Sequence, residues 1–268
     1  MDNQAQTLTG MLLRAVPYRD ADLILHIFSV EHGRVGLLAR GARRSKRRFV
    51  GATSGFVLAR FTVGSGKSQD LRVAESAEVM QQWEALALDV GAFAHANYVL
   101  EMVHELLPEG HPEPALAALL AQYFDELQAH GASSSVLRFV EYSVLDIIGN
   151  APQLDQCVRC AGDIDGNAGF LASRGGALCA ACVAIEGPRP GLRRYPMPVQ
   201  DYLLAIRASD DVTHVRKLDQ VADDARLAAR DLLVALITHL APRPLRTLEF
   251  IAKMSSALRR NPTTPPKP

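Results

Sequence analysis

The feature that most constrains this chain is a change of hydrophobic period near Ser76. Between Leu8 and Ser76 the apolar residues come in short runs broken by turn formers, the pattern of a small all-β unit. Beyond Ser76 they come in long runs rich in Ala, Leu and Glu with spacing near 3.6, the pattern of helices. One polypeptide therefore has to build a β unit first and a helical unit after it.

The first part reads as five strands, Met11–Val16, Asp22–Ser29, Arg34–Arg40, Phe56–Val63 and Leu71–Ser76. Breaks fall at Pro17, at His32-Gly33, across Gly41–Gly55 and at Gly64-Ser65-Gly66. The longest connection lies between the third and fourth strands, which fits a small closed barrel of the OB type. By counting alone, an SH3-like barrel fits nearly as well. Helices are predicted over 78–88, 91–107, 113–130, 133–149, 198–208 and 219–240. In the fourth of these, Val136, Leu137, Phe139, Val140, Tyr142, Val144, Leu145, Ile147 and Ile148 cover most of the circumference, so it should be central and buried.

All four cysteines fall in one short interval: Cys157-Val158-Arg159-Cys160, 18 residues, then Cys179-Ala180-Ala181-Cys182. This is too few for a disulfide scaffold, and the paired Cys-x-x-Cys spacing fits a zinc site in a reducing compartment. Each short turn can aim two thiolates at one point, and Gly169–Leu178 reads as a hairpin turning at Gly175-Gly176. Four thiolates close the tetrahedron, so one structural Zn²⁺ per chain is expected, with no open position for a reacting water. The alternative is four unliganded or redox-paired thiols.

With 268 residues, 48% of them hydrophobic, the chain can bury about two domains. The expected layout is α+β and multidomain: a five-stranded OB-type β-barrel over 1–78, then a mainly α-helical domain over 79–260 with the zinc module embedded at 155–185. The tail 261–268, with four prolines in eight residues, is expected to be disordered. No internal repeat, transmembrane run or signal peptide is visible, which makes a cytoplasmic protein the simplest reading.

The formal net charge of zero hides a strong asymmetry. Residues 1–70 carry 11 Lys/Arg against 5 Asp/Glu, residues 75–146 carry Arg138 alone against 12 acids, and residues 155–268 carry 16 against 12. A polyanion is thus attracted to the two ends and repelled by the middle. Arg40, Arg43, Arg44, Lys46, Arg47 and Arg48 place six cations in nine residues after the third strand. A flexible loop of this kind can face phosphate oxygens while the barrel stays intact; a solvated charge run is the plainer alternative. Phe49, Phe56 and Phe61 lie near, but the strand positions read as core, so phosphate contact should outweigh base stacking.

Other motifs fail. Gly66-Lys67-Ser68 lacks the first glycine of a P-loop, since position 61 is Phe61, and is read as a hairpin turn. His104-Glu105-Leu106-Leu107-Pro108 lacks the second histidine of a zinc-protease helix. No catalytic constellation is apparent.

The order of parts resembles the bacterial recombination and repair mediator family RecO. The resemblance is carried by Asp20-Ala21-Asp22 entering the second strand, Ala39-Arg40-Gly41-Ala42-Arg43-Arg44 closing the third, Leu145-Asp146-Ile147-Ile148-Gly149 with Ala151-Pro152 before Cys157, and Pro244-Leu245-Arg246-Thr247-Leu248-Glu249-Phe250 as a closing helix. It implies a non-catalytic, nucleoid-associated protein that binds single- and double-stranded DNA and anneals complementary strands. It also implies that, with RecR, the protein helps load recombinase on strands coated by single-stranded DNA-binding protein. Some members lack the cysteines, so zinc is expected to stabilise rather than to act.

The resemblance further implies a contact with the acidic, apolar-ended C-terminal tail of the coating protein. Arg138 beside an apolar groove would suit that carboxylate; an internal salt bridge, for instance to Glu141, is the ordinary alternative. A second overall reading is a zinc-stabilised adaptor whose acidic body binds proteins while the basic loop contacts RNA or serves solubility.

Overall fold

The computed structural model describes residues 6–64, 72–164 and 167–260, with the side chains of Asn167 and 254–260 left aside. The expected hairpin turn at Gly66-Lys67-Ser68 and the tail 261–268 lie outside the described residues.

Five strands, β1 (Gln6–Tyr18), β2 (Asp22–Ser29), β3 (Gly33–Ala39), β4 (Val57–Val63) and β5 (Arg72–Gln82), close into a barrel of order β1-β2-β3-β5-β4. Strand β1 is long enough to pair with both β2 and β4, and β3 meets β5 in parallel. This order settles the barrel as OB-type rather than SH3-like. Alternate residues point inward, so Leu8, Leu12, Leu25, Ile27, Leu37 and Phe61 fill the barrel. Met11, Phe28 and Phe56 face the other way and join the core of the helical body.

One expectation fails here. The segment 78–88 is not a helix: β5 continues through Gln82, opposite Val57, and only a 3-10 turn follows at Glu84–Ala87. Its Glu and Gln favour helix weakly, whereas a free edge of β4 offers a full ladder of hydrogen bonds, and tertiary pairing overrides so small a preference.

The helical body comprises α1 (Val90–Leu106), α2 (Pro114–His130), α3 (Ser134–Ile147), α4 (Ala180–Glu186), α5 (Met197–Arg207), α6 (Val212–Val215), α7 (Asp223–Leu240) and α8 (Arg246–Arg260). Asp89 caps α1 and Ser133 caps α3 by accepting backbone N–H groups of Ala92 and Val136. Helix α3 is central, as its apolar circumference requires, and meets α1, α2, α5, α6 and α7. A small sheet of order β7-β6-β8 is built from β6 (Asn167–Leu171), β7 (Gly176–Leu178) and β8 (Leu192–Pro196). The turn of its hairpin is a 3-10 turn at Ala172–Arg174 ending on Gly175, so Gly176 already belongs to β7.

Barrel and body are fastened by a seam. Gly33, at φ 64, lies so close to the His111 backbone that a Cβ would stand 2.1 Å from its carbonyl oxygen. Any side chain there would push the two units apart. Beside it Arg34 Nε donates to the Leu107 carbonyl at 3.0 Å, and Trp83 Nε1 donates to Asp125 Oδ1 at 2.7 Å.

Candidate nucleic-acid interface and metal centre

The basic segment is a folded part of the barrel, not the flexible loop expected. Gly41 takes φ 65 and donates its N–H to Asp22 Oδ1 at 2.8 Å, which turns the chain out of β3. A 3-10 turn at Ala42–Arg44 follows, and Ala42, Phe49 and Ala52 are buried in the barrel core. The segment is therefore pinned at both ends by apolar burial. Arg40, Arg43, Arg44, Lys46, Arg47 and Arg48 are all exposed. Arg48 donates to the Arg40 carbonyl at 2.8 Å and lies over the Phe49 ring. The ion pairs of the barrel among the described residues are Arg34–Glu109 and Arg60–Glu78, so no described carboxylate pairs with any of the six. An array of uncompensated guanidinium groups on a fixed scaffold can bind phosphate oxygens without first breaking internal pairs.

The sequence analysis missed a neighbour of this segment. Arg43 donates from its backbone to Ala21 O at 3.0 Å and from its side chain to Asp20 O at 3.2 Å, which joins the segment to the β1–β2 turn. That turn presents Tyr18, 38% exposed, with Arg19 stacked over its ring at 5.2 Å and held at φ 53. An aromatic side by side with a cation at a turn, Pro17-Tyr18-Arg19-Asp20, was the available signal. The phenylalanines do not serve for stacking: Phe49 and Phe61 are in the barrel core, and Phe56 packs edge-on against Phe93 and Phe124. Tyr18 is the accessible ring beside these cations.

The four cysteines converge. Their sulfurs all lie within 4.8 Å of one another, with Cys160 and Cys179 at 3.7 Å. The first turn is made by Cys157 N–H donating to Gly162 O and Ala161 N–H donating to Cys157 O, with Ala161 at φ 56. Cys179 caps α4, which carries Cys182 in its first turn. Burial raises the Cys157 thiol, but N–H groups of Cys179, Arg159 and Cys160 outweigh it and bring the group down to about 6. Cys182 is pushed up to about 12 by burial and by the sulfurs around it. Four sulfurs this close cannot all ionise against one another, and a bound divalent cation is what would let them do so. The donor set thus fits a metal ion held by sulfur alone.

Arg138 sits elsewhere than expected. It is 4% exposed, inside the helical core, with Nη2 2.8 Å from Oε1 of Glu141, which is fully buried. The ordinary alternative, an internal salt bridge at i+3, is what the structure places there. Arg138 Nε and Nη1, the Tyr123 hydroxyl and His95 Nδ1 are also buried without hydrogen-bond partners among the described residues.

Comparison with known proteins follows the same division of the chain. The family model for the Recombination protein O N terminal matches residues 1–83, and that for the Recombination protein O C terminal matches residues 87–249. A DNA repair protein RecO of Anaeromyxobacter sp. (strain K) is 34% identical over 253 residues, which is 94% of this chain and 97% of that protein. The DNA repair protein RecO of Myxococcus xanthus is 30% identical over 247 residues, 91% of this chain and 96% of its own. That of Geobacter sulfurreducens is 36% identical over 180 residues, 67% and 73%. With an OB-type barrel, a helical body, a four-cysteine centre and both family models matched along its length, this chain belongs to the RecO family.

Proposed function

We propose that this protein is a non-catalytic recombinational repair mediator. It binds single- and double-stranded DNA, anneals complementary single strands and, with RecR, helps load recombinase on DNA coated by single-stranded DNA-binding protein. The observation that carries the reading is the row of six exposed cations, none paired with a described carboxylate, pinned onto an OB-type barrel beside an accessible Tyr18–Arg19 pair. Such a surface suits phosphates and unstacked bases, in any sequence. The metal is zinc, one per chain and structural, because four sulfur ligands complete its tetrahedron. The protein works in the cytoplasm on the nucleoid; no helix among the described residues is long and apolar enough to cross a membrane.

Contact with the acidic tail of the coating protein is part of this reading. If Arg138 receives the tail carboxylate, its pair with Glu141 has to open first, because both groups are buried. A surface arginine needs no such rearrangement.

The decisive experiment is strand annealing of complementary oligonucleotides, bare and coated, with mobility shifts on matched DNA and RNA beside it. Faster annealing than the spontaneous rate, with DNA bound at least as well as RNA, supports the mediator. RNA preference without annealing would favour the adaptor reading.

A further inference from the structure

A carboxylate at a helix C-terminus opposes the helix dipole, and α4 ends on one, Glu186. Three arginines from three separate segments converge on it. Arg159 comes from the first cysteine turn, Arg174 from the β6–β7 turn and Arg189 from the chain after α4, at 3.4, 3.0 and 2.7 Å. Glu186 is nearly covered, at 7% side-chain exposure, while the arginines remain 35–44% exposed. One negative charge cannot balance three positive ones. Among the described residues the cluster keeps two uncompensated charges, on guanidinium groups whose direction is already fixed by the acid. Strand β8 adds Arg193 and Arg194, both exposed.

The placement of this cluster matters as much as its charge. The barrel packs on α1, whereas the cysteine module packs on α5 and α7, so the two basic surfaces sit on units that meet the helical body through different helices. A single core runs through the body, from Met11 and Phe28 of the barrel to Phe170 and Ala177 of the module, and ties both to one rigid support.

We propose that the Arg159–Arg174–Arg189 cluster is a second phosphate-binding surface, which holds a second single strand of DNA while the barrel holds the first. This rests on the annealing reading and deepens it: two strands held on one chain need only exchange water and counterions to pair. The metal centre then has a mechanical part, because Arg159 lies inside the Cys157–Cys160 turn and Glu186 in the helix that Cys179 caps. Losing the metal should scatter the guanidinium groups.

The test uses the full chain and two non-complementary oligothymidine strands carrying donor and acceptor dyes, with the mass of each complex measured to count strands per chain. Wild type should hold two strands and give energy transfer. A variant with Arg159→Gln, Arg174→Gln, Glu186→Gln and Arg189→Gln should hold one strand, with its barrel affinity within about twofold of wild type, and the second-strand affinity should fall about tenfold. Replacing the three arginines by lysine should restore most of it.

Should the quadruple variant fail to keep its metal, Arg189→Gln alone decides, because Arg189 lies outside both cysteine turns: second-strand capture should fall about threefold, whereas unchanged capture overturns the proposal. One strand per wild-type chain, or two on the folded quadruple variant, overturns it as well. Annealing is measured separately. Two strands held without annealing would sink the mediator reading and leave this site standing; annealing with one strand held per chain would do the reverse.

Discussion

Arg138 and Glu141, one turn apart on α3, face each other at 2.8 Å in the middle of the helical core, and neither reaches solvent. Burial pushes the Glu141 carboxyl above the usual range, and Arg138 pulls it back only in part. Removing one partner should cost about 3–5 kcal/mol, because the other is left charged and buried, whereas Arg138→Met with Glu141→Leu should be nearly neutral. Urea unfolding of the two single variants and the double variant measures this. Since the folded state holds the Glu141 proton more tightly than the unfolded chain, this group's contribution falls as pH rises above about 4.5, and Arg138→Met should steepen that fall.

A second pH effect runs the other way. His26 and His95 are both held down to about 4, chiefly by burial, with the His104 ring against His26 and Arg138 near His95 as further causes. The unfolded chain takes up these protons near pH 6.5 and the folded chain does not, so stability is lost as pH falls from about 6.5 toward 4. Each histidine contributes a slope of up to about 1.4 kcal/mol per pH unit. Thermal melting from pH 7.5 to 5 should show a falling midpoint, and His26→Phe should flatten it.

Elemental analysis should find one zinc per chain, and Cys179→Ser should lose it. The local folding free energy of such a site is roughly 10 kcal/mol or more, so the module should open while the barrel persists. Protease cutting confined to the segment around Cys157–Cys182, with the N-terminal barrel intact, is the expected pattern. Unchanged digestion would show the metal to be dispensable.

On the barrel, six phosphate contacts to a single strand give a log–log salt slope of about −4, and changing Arg43, Arg44, Arg47 and Arg48 to Ala should flatten it by about 3. An unchanged slope would move the first strand elsewhere.

Tyr18 allows base and phosphate contributions to be separated. Tyr18→Ala should weaken single-stranded DNA by about 1–3 kcal/mol through lost stacking and leave duplex binding, which offers no unstacked base, nearly unaltered. Fluorescence anisotropy on matched single and double strands reads both.

The sequence alone determined whatever depends on short-range pattern. Period-2 runs set β2, β3 and β4 to within one residue and located β1 and β5 but cut them five or six residues short at one end, and period-3.6 runs set α1, α2, α3, α5 and α7. Two Cys-x-x-Cys turns announced four converging thiols, because a turn of that length aims its own side chains. The density of cations after β3 announced an exposed basic surface, since so many like charges cannot be buried together.

Only the tertiary structure decided the rest. Whether 78–82 became strand or helix depended on the unpaired edge of β4, which lies far from it in the chain. Arg138 in an acidic segment could equally have been a surface anchor, and the packing of α3 between its neighbours put it inside with Glu141. Tyr18 and Arg19 became neighbours of the basic segment through Arg43 and the β1–β2 turn, and Arg159, Arg174 and Arg189 met on Glu186 from three segments. In each case the deciding contact joins residues that local pattern leaves independent, and only burial of the shared core brings them together.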